Sequence, residues 1–435
     1  MRSALERYFE FARLETNWRT EILAGLTTFV TMAYIIFVNP SILSETGMPF
    51  AAVTAATCLA AALGCFLMGA LARYPVALAP GMGLNAYFTF AVVKGMDVPW
   101  PAALGAVFIS GILFLILTAA GVRQMIVEAI PRELYAAVAV GIGLFIAFIG
   151  FRNAGIVVAD PATLVGLGNL RAPGTVLALF GLLLTGALMI WRVKGAMLLG
   201  VVGTTLVGML TGVVKWAPQP YSVTAISATF LKLDVSAALK LGLLEIIFVF
   251  LFVDLFDNIG TLVAVGKRAK LFDDDGKIPR LNAILTSDAL ATTAGSLLGT
   301  STVVSYIESA AGVVAGGRSG VTAIVTGLLF VVALFVAPVA RVIPVQATAP
   351  ALILVGALML APAGEIKWSD PLQAIPAFLT MTAIPLTFSI ANGLAFGFVS
   401  STILKLAAGK GRSVHWLVYV LAALCVARFI YLGKG

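Results

Sequence analysis

Apolar runs of about twenty residues recur along this chain from Glu21 to Tyr431. Each is the length needed to cross roughly 30 Å of hydrocarbon as a helix. In lipid every backbone polar group must find its partner within the protein, so spanning segments are helices or strands of a closed barrel. The period-2 alternation of barrel strands is absent, which leaves helices. Only 11% of the residues are charged and 60% are hydrophobic, against about 25% charged in soluble domains. The chain therefore reads as an all-α polytopic membrane protein without a separate soluble domain.

The net charge of +8 does not point to nucleic acid. Lys and Arg lie mostly between the spans, where they orient the chain with its basic loops inside. Cys58, Cys65 and Cys425 sit apart in apolar stretches, and His415 is the single histidine. Metal sites and Ser–His–Asp chemistry have no residues to use, so no enzyme, metal or cofactor is expected. Residues 1–20 mix Arg and Glu with Leu5, Phe9 and Ala12 at helical spacing. They predict an amphipathic segment on the cytoplasmic surface of the cell membrane, with no cleavable signal ahead of the first span.

Spans are expected at about 21–43, 51–72, 101–121, 134–150, 174–191 and 195–214. The stretch 75–93 (PVALAPGMGLNAYFTFAVV) is broken by Pro75, Pro80, Gly81 and Gly83. It predicts an extended piece followed by a helix from about Gly83–Asn85. Residues 216–240 are too polar to cross and are placed at the outer surface. A second series follows at 241–265, 284–299, 300–316, 320–340 and 346–362. The loop after 265 carries Lys267, Arg268, Lys270, Lys277 and Arg280 and marks the inside. Between 376 and 432 the pattern allows either one crossing or a hairpin ahead of the last span. In each half the third segment is short and interrupted, and paired interruptions point to a transporter site at a repeat interface.

Three acids stand where a membrane protein should avoid them. Asp254 and Asp257 lie deep in LGLLEIIFVFLFVDLFDNIGTLVAVG, and Glu308 lies in GTSTVVSYIESAAGVVAGG. A charge at the bilayer centre costs about 2.5–3.5 kcal/mol, so a substrate or proton site is the default reading. Asp254 and Asp257 are about 60° apart on one helical face, with Asn258 beside them. Glu245, on another side and nearer the outer end, reads as structural, and Asp288 as a cap or pairing group. No Lys or Arg occurs in 75–93, 241–265 or 284–316. An acid-rich pocket without a cation disfavours anions and suits a neutral solute with several N–H donors. At least one acid is expected to take up a proton reversibly. Asn85 can donate and accept at one edge of a heterocycle, and Tyr87, Phe88, Phe252 and Phe256 offer stacking faces.

At these residues the chain resembles the nucleobase–ascorbate transporter (nucleobase:cation symporter-2) superfamily, in its AzgA-like branch of adenine, guanine and hypoxanthine permeases. The motifs are TTFVTMAYIIFVNP (27–40), PGMGLNAYF (80–88), FVDLFDNIGTL (252–262), SDALATTAGSLLGTSTVVSYIESAAG (287–312) and PLTFSIANG (385–393). The resemblance implies fourteen segments as two inverted repeats of seven, with short strands in segments 3 and 10. It implies a core domain (21–121 and 241–340) and a gate domain (134–214 and 346–432), and a homodimer through the gate. It implies proton-coupled purine uptake by alternating access. Asp254, Glu308, Asn85 and Gly83 would bind the base, and Asp257 or Asp254 would carry the proton. The alternatives are a uracil or xanthine permease of the same fold and a SulP-like anion carrier.

Overall fold

The structure, a computed structural model, describes residues 2–121, 130–216, 223–240, 244–269, 278–335, 340 and 342–431. Most of the basic loop after residue 265 lies outside the described residues, as do the side chains of Lys267 and Arg268. Among the described residues, seven helices are long and apolar enough to cross a membrane, and four shorter ones are apolar.

The first series is α1 (Trp18–Met32), α2 (Ile35–Leu43), α3 (Phe50–Leu67), β1 (Leu78–Pro80), α4 (Met82–Val93), α5 (Trp100–Ala119), α6 (Arg132–Asn153), β2 (Val157–Asp160), β3 (Leu164–Leu167), α7 (Pro173–Ile190) and α8 (Ala196–Leu210). The second is α9 (Leu244–Ala269), α10 (Leu281–Leu298), β4 (Val303–Ser305), α11 (Ser309–Val314), α12 (Gly320–Ala333), α13 (Val345–Leu358), α14 (Pro371–Thr387), α15 (Ile390–Ala407) and α16 (Trp416–Tyr431).

Both interrupted segments take the expected form, a strand followed by a helix. Pro80 and the flanking glycines prevent helix at 75–81, which strands backbone groups at membrane depth. The two segments supply each other. β1 pairs antiparallel with β4 in the register Leu78↔Ser305, Ala79↔Val304 and Pro80↔Val303. The pairing continues with Gly81 N–H to Thr302 O at 2.9 Å and Tyr306 N–H to Ala77 O at 2.9 Å. A Tyr306 hydroxyl bond to Pro80 O at 2.6 Å closes one end.

The first span departs from expectation. It is not one helix over 21–43 but breaks at Ala33–Tyr34. There the backbone tightens to three-residue bonds, Ile36 N–H to Ala33 O and Phe37 N–H to Tyr34 O. Pro40, in the next turn, removes a further bond to Ile36. The N-terminal segment is helical only over Arg2–Tyr8. Its Phe9 and Phe11 are buried against Val321, and Glu10 pairs with Arg13, Arg73 and Arg280. It is docked on protein as well as facing outward. The β2–β3 hairpin was not anticipated; Asp160 turns it by accepting from the amides of Ala162 and Thr163.

The ambiguous stretch after 376 is a helical hairpin. Phe388 takes a left-handed conformation (φ 51°) and Ser389 caps α15. The two helices run antiparallel in very close contact: a Cβ on Gly397 would lie 2.2 Å from Thr380 Oγ1, and one on Gly393 2.2 Å from an Ile384 methylene. Gly397→Val is therefore expected to destabilise the protein by about 1–3 kcal/mol through overpacking. Thermal unfolding of the purified protein reads this directly. Gly186→Ala, where a Cβ meets open space inside α7, should leave the midpoint unchanged or slightly raised.

The helices sort into two interleaved groups by contact. α1, α2, α3, α4, α5, α9, α10, α11 and α12 form one set, drawing on both series. α6, α7, α8, α13, α14, α15 and α16 form the other set. Links between the sets include α4 with α6, α2 with α13 and α9 with α15.

Candidate functional site

The three acids do not form one cluster. Three residues of separation on α9 send Asp254 and Asp257 to different surroundings.

Asp254 enters a dry network with Asn258, Asp288 and Thr292, all at most 1% exposed. The Asn258 amide donates to Asp254 Oδ1 at 2.9 Å and to Asp288 Oδ2 at 2.6 Å. Its own oxygen accepts from the Ser305 amide of β4 at 2.9 Å. Thr292 Oγ1 stands 3.3 Å from Asp254 Oδ2 and accepts from Val303 N–H at 3.1 Å. Asn258 thus ties α9, α10 and β4 together, and Asp288 is a member of this network, not a cap.

Asp257 and Glu308 instead lie side by side, close enough to interact electrostatically. Both are partly exposed. The break between α1 and α2 turns Tyr34 toward them, and its hydroxyl donates to Glu308 Oε1 at 2.6 Å. Tyr306 lies within electrostatic reach of both acids. Tyr135 of α6 reaches Asp257 from the other helix group; its hydroxyl sits where a Cβ on Gly260 would come within 2.6 Å. Two carboxylates and three tyrosines therefore meet beside the β1–β4 crossing. Next to Tyr135, a cleft of about 10 Å³ separates α6, α14 and α15 from Phe252 of α9. That is room for about one water.

Asn85 is elsewhere. It is fully buried, and its amide donates to Asn39 Oδ1 at 2.6 Å. Asn39 in turn donates to Thr57 Oγ1 at 2.8 Å and Thr300 Oγ1 at 3.0 Å. Asn85 Oδ1 is buried with no hydrogen-bond partner among the described residues, so one acceptor is in reserve. Gly83 faces α6, where a Cβ would lie 2.6 Å from an Ile142 methyl. Tyr87 and Phe88 are buried against Phe250, and Phe252 packs edge-on against Phe398. Phe256 has its side chain outside the described residues.

Tyr34, Tyr306, Tyr135, Asp288 and Thr292 were missed from sequence as site groups. The available signal was the tyrosines: a phenol in the middle of an apolar span carries a hydroxyl that must find a partner.

The chain as a whole is similar to known proteins. Residues 19–396 match the Permease family Xan_ur_permease. The guanine/hypoxanthine permease PbuG of Bacillus subtilis is 46% identical over 440 residues, covering 98% of this chain and 100% of PbuG. The adenine permease AdeP of Escherichia coli is 42% identical over 428 residues, covering 98% and 96%. Among solved structures, the transmembrane domain of the cyanobacterial bicarbonate transporter BicA superposes with a TM-score of 0.67 at 13% identity, over 88% of this chain and 97% of that one. This last likeness concerns the fold alone.

Proposed function

The chain belongs to the Permease family Xan_ur_permease, and from that premise we propose that it carries purine nucleobases (adenine, guanine, hypoxanthine) into the cell with protons, by alternating access. The relatives named for guanine/hypoxanthine and for adenine support the substrate class. The observation that carries the reading is the partly exposed pair Asp257 and Glu308, with no Lys or Arg in 75–93, 244–265 or 284–316 to neutralise it. Carboxylates without a cation accept N–H donors and repel anions, which argues against an anion carrier despite the shared fold.

In this reading Glu308 accepts from the N–H groups of the base. Asp257 takes the coupling proton, which relieves its repulsion with Glu308. Asp254, first placed in contact with the base, acts from behind through Asn258 and β4. Asn85, buried in the Asn39 network, keeps a spare oxygen for a rearranged state, and Gly83 keeps α4 close to α6. The core consists of 21–121 and 241–340 and the gate of 134–214 and 346–432. The narrow cleft at Tyr135 has no room for a purine, so entry requires the two groups to part. One proton driven by 100 mV supplies about 2.3 kcal/mol, enough for roughly fifty-fold accumulation at about 1.4 kcal/mol per decade.

The same reading takes fourteen segments in two inverted repeats. Four helices are described after Pro344, one more than that count gives the second gate; the segment of α13, Val345–Glu365, and α15 are long and apolar enough to cross. The N-terminus is placed in the cytoplasm because Glu10 joins Arg73 and Arg280 on the basic side, in line with the positive-inside rule. A homodimer through the gate follows from the family resemblance.

Uptake of labelled adenine, guanine, hypoxanthine and uracil by cells lacking their own nucleobase carriers tests this. Purine uptake that a protonophore abolishes is expected. Asp257→Asn should retain base binding and lose the protonophore-sensitive part. Uracil uptake alone, or electroneutral uptake indifferent to protonophore, would overturn the reading.

A further inference from the structure

Glu245 and Arg428 are used by nothing described so far. We propose that they form a charge latch inside the membrane, tying α16 to the helix that carries Asp254 and Asp257, and that the transport stroke requires it to open. The proposal rests on the moving-group reading above.

Arg428 Nε donates to Glu245 Oε2 at 2.5 Å. The side chains are 20% and 14% exposed. Tyr87 of α4 lies within electrostatic reach of both. Yet Glu245 Oε1, Arg428 Nη1 and the Tyr87 hydroxyl are all buried without a hydrogen-bond partner among the described residues. A buried pair that serves only stability needs its remaining donors and acceptors met, because each unmet one is costly. This pair is joined but not saturated, as a contact that forms and breaks would be.

The rest of the α9–α16 boundary agrees. Beyond the pair, a wholly apolar cavity of about 160 Å³ lies among Phe248, Leu251 and Leu255 of α9, Leu417 and Leu421 of α16, and Phe114 and Leu117 of α5. α16 packs on α15 instead. One polar tether and an unfilled apolar cavity beside it leave α16 room to shift against α9. The two helices belong to different contact groups, so relative motion of the groups must act on this tether. Glu245 and Arg428 are thus positioning residues, acting on the site through α9.

The test is a thiol cross-link. Glu245→Cys and Arg428→Cys are combined in a Cys425→Ser background, since Cys425 lies beside the pair. A short bifunctional methanethiosulfonate reagent, which fills the gap left where two long side chains become cysteines and a direct disulfide lacks the reach, is expected to join the two thiols and cut guanine uptake at least tenfold. Reduction should restore it, and equilibrium binding of labelled guanine to the purified cross-linked protein should stay within threefold. Full uptake by protein shown to be cross-linked would overturn the latch. Charge reversal gives a second reading: Glu245→Arg with Arg428→Glu should recover at least a third of the uptake that either reversal alone removes, and no recovery would count against the pair. The unaltered protein, assayed alongside, separates the two claims. If it carries no purine the substrate reading fails. If it and the cross-linked variant carry purine equally, the latch fails.

Discussion

Glu308→Gln is expected to abolish purine uptake, by at least about a hundredfold, in a protein that still reaches the membrane and unfolds near the parent temperature. The size follows from two losses. Glutamine keeps the shape but replaces a charged acceptor with a neutral amide, and a hydrogen bond to a charged group contributes about 1.5–3 kcal/mol. Two N–H bonds of that kind to one base correspond to a hundredfold or more at about 1.4 kcal/mol per decade. The fold should tolerate the change, because Glu308 is partly exposed and its side chain is held by the Tyr34 hydroxyl. Tyr34→Phe keeps the acid and frees it, and should raise KM about tenfold with a smaller effect on maximal rate. Labelled uptake beside surface quantification decides the matter. Unchanged uptake in Glu308→Gln would remove this acid from the site.

Asn258→Leu is expected to act on the fold instead. Asn258 is the donor shared between the buried carboxylates of Asp254 and Asp288, and the acceptor for a β4 amide. Leucine fills a similar volume and meets none of these groups. Removing one member of a buried charged network costs about 3–5 kcal/mol, which in a protein of this kind is a large part of the total. Purified Asn258→Leu should therefore melt several degrees lower and accumulate poorly. Asn39→Leu, in the smaller neutral network with Thr57 and Thr300, should cost less. Equal melting temperatures for Asn258→Leu and the parent would show that the network is dispensable.

The architecture was legible where one strong term decides. Apolar runs of crossing length mark helices because lipid offers no other partner for the backbone, and most expected spans lie within a few residues of those observed. Pro75, Pro80 and the glycines at 81 and 83 announced the break before α4. What was not legible depends on where side chains turn. Asp254 and Asp257 share one helical face by spacing, yet one meets Asn258 and the other lies near Glu308. Asn85 looked like a substrate group by its position in PGMGLNAYF, and its amide goes to Asn39, forty-six residues earlier. The break at Tyr34 left no glycine to signal it. Arg428 could be paired with Glu245 only once α16 had a place.

The β1–β4 ladder also bears on how the protein is made. Leu78 is paired with Ser305, more than two hundred residues later in the chain. At about 5–20 residues per second, the first broken segment waits on the order of 10–40 s for the strand that will satisfy it. During that interval its unpaired amides and carbonyls have no place among lipid tails. A nascent chain released before Ser305 would hold a segment that neither spans nor folds, a natural substrate for quality-control proteolysis. The first half made alone should be short-lived in the membrane, and supplying the second half as a separate polypeptide should lengthen its life.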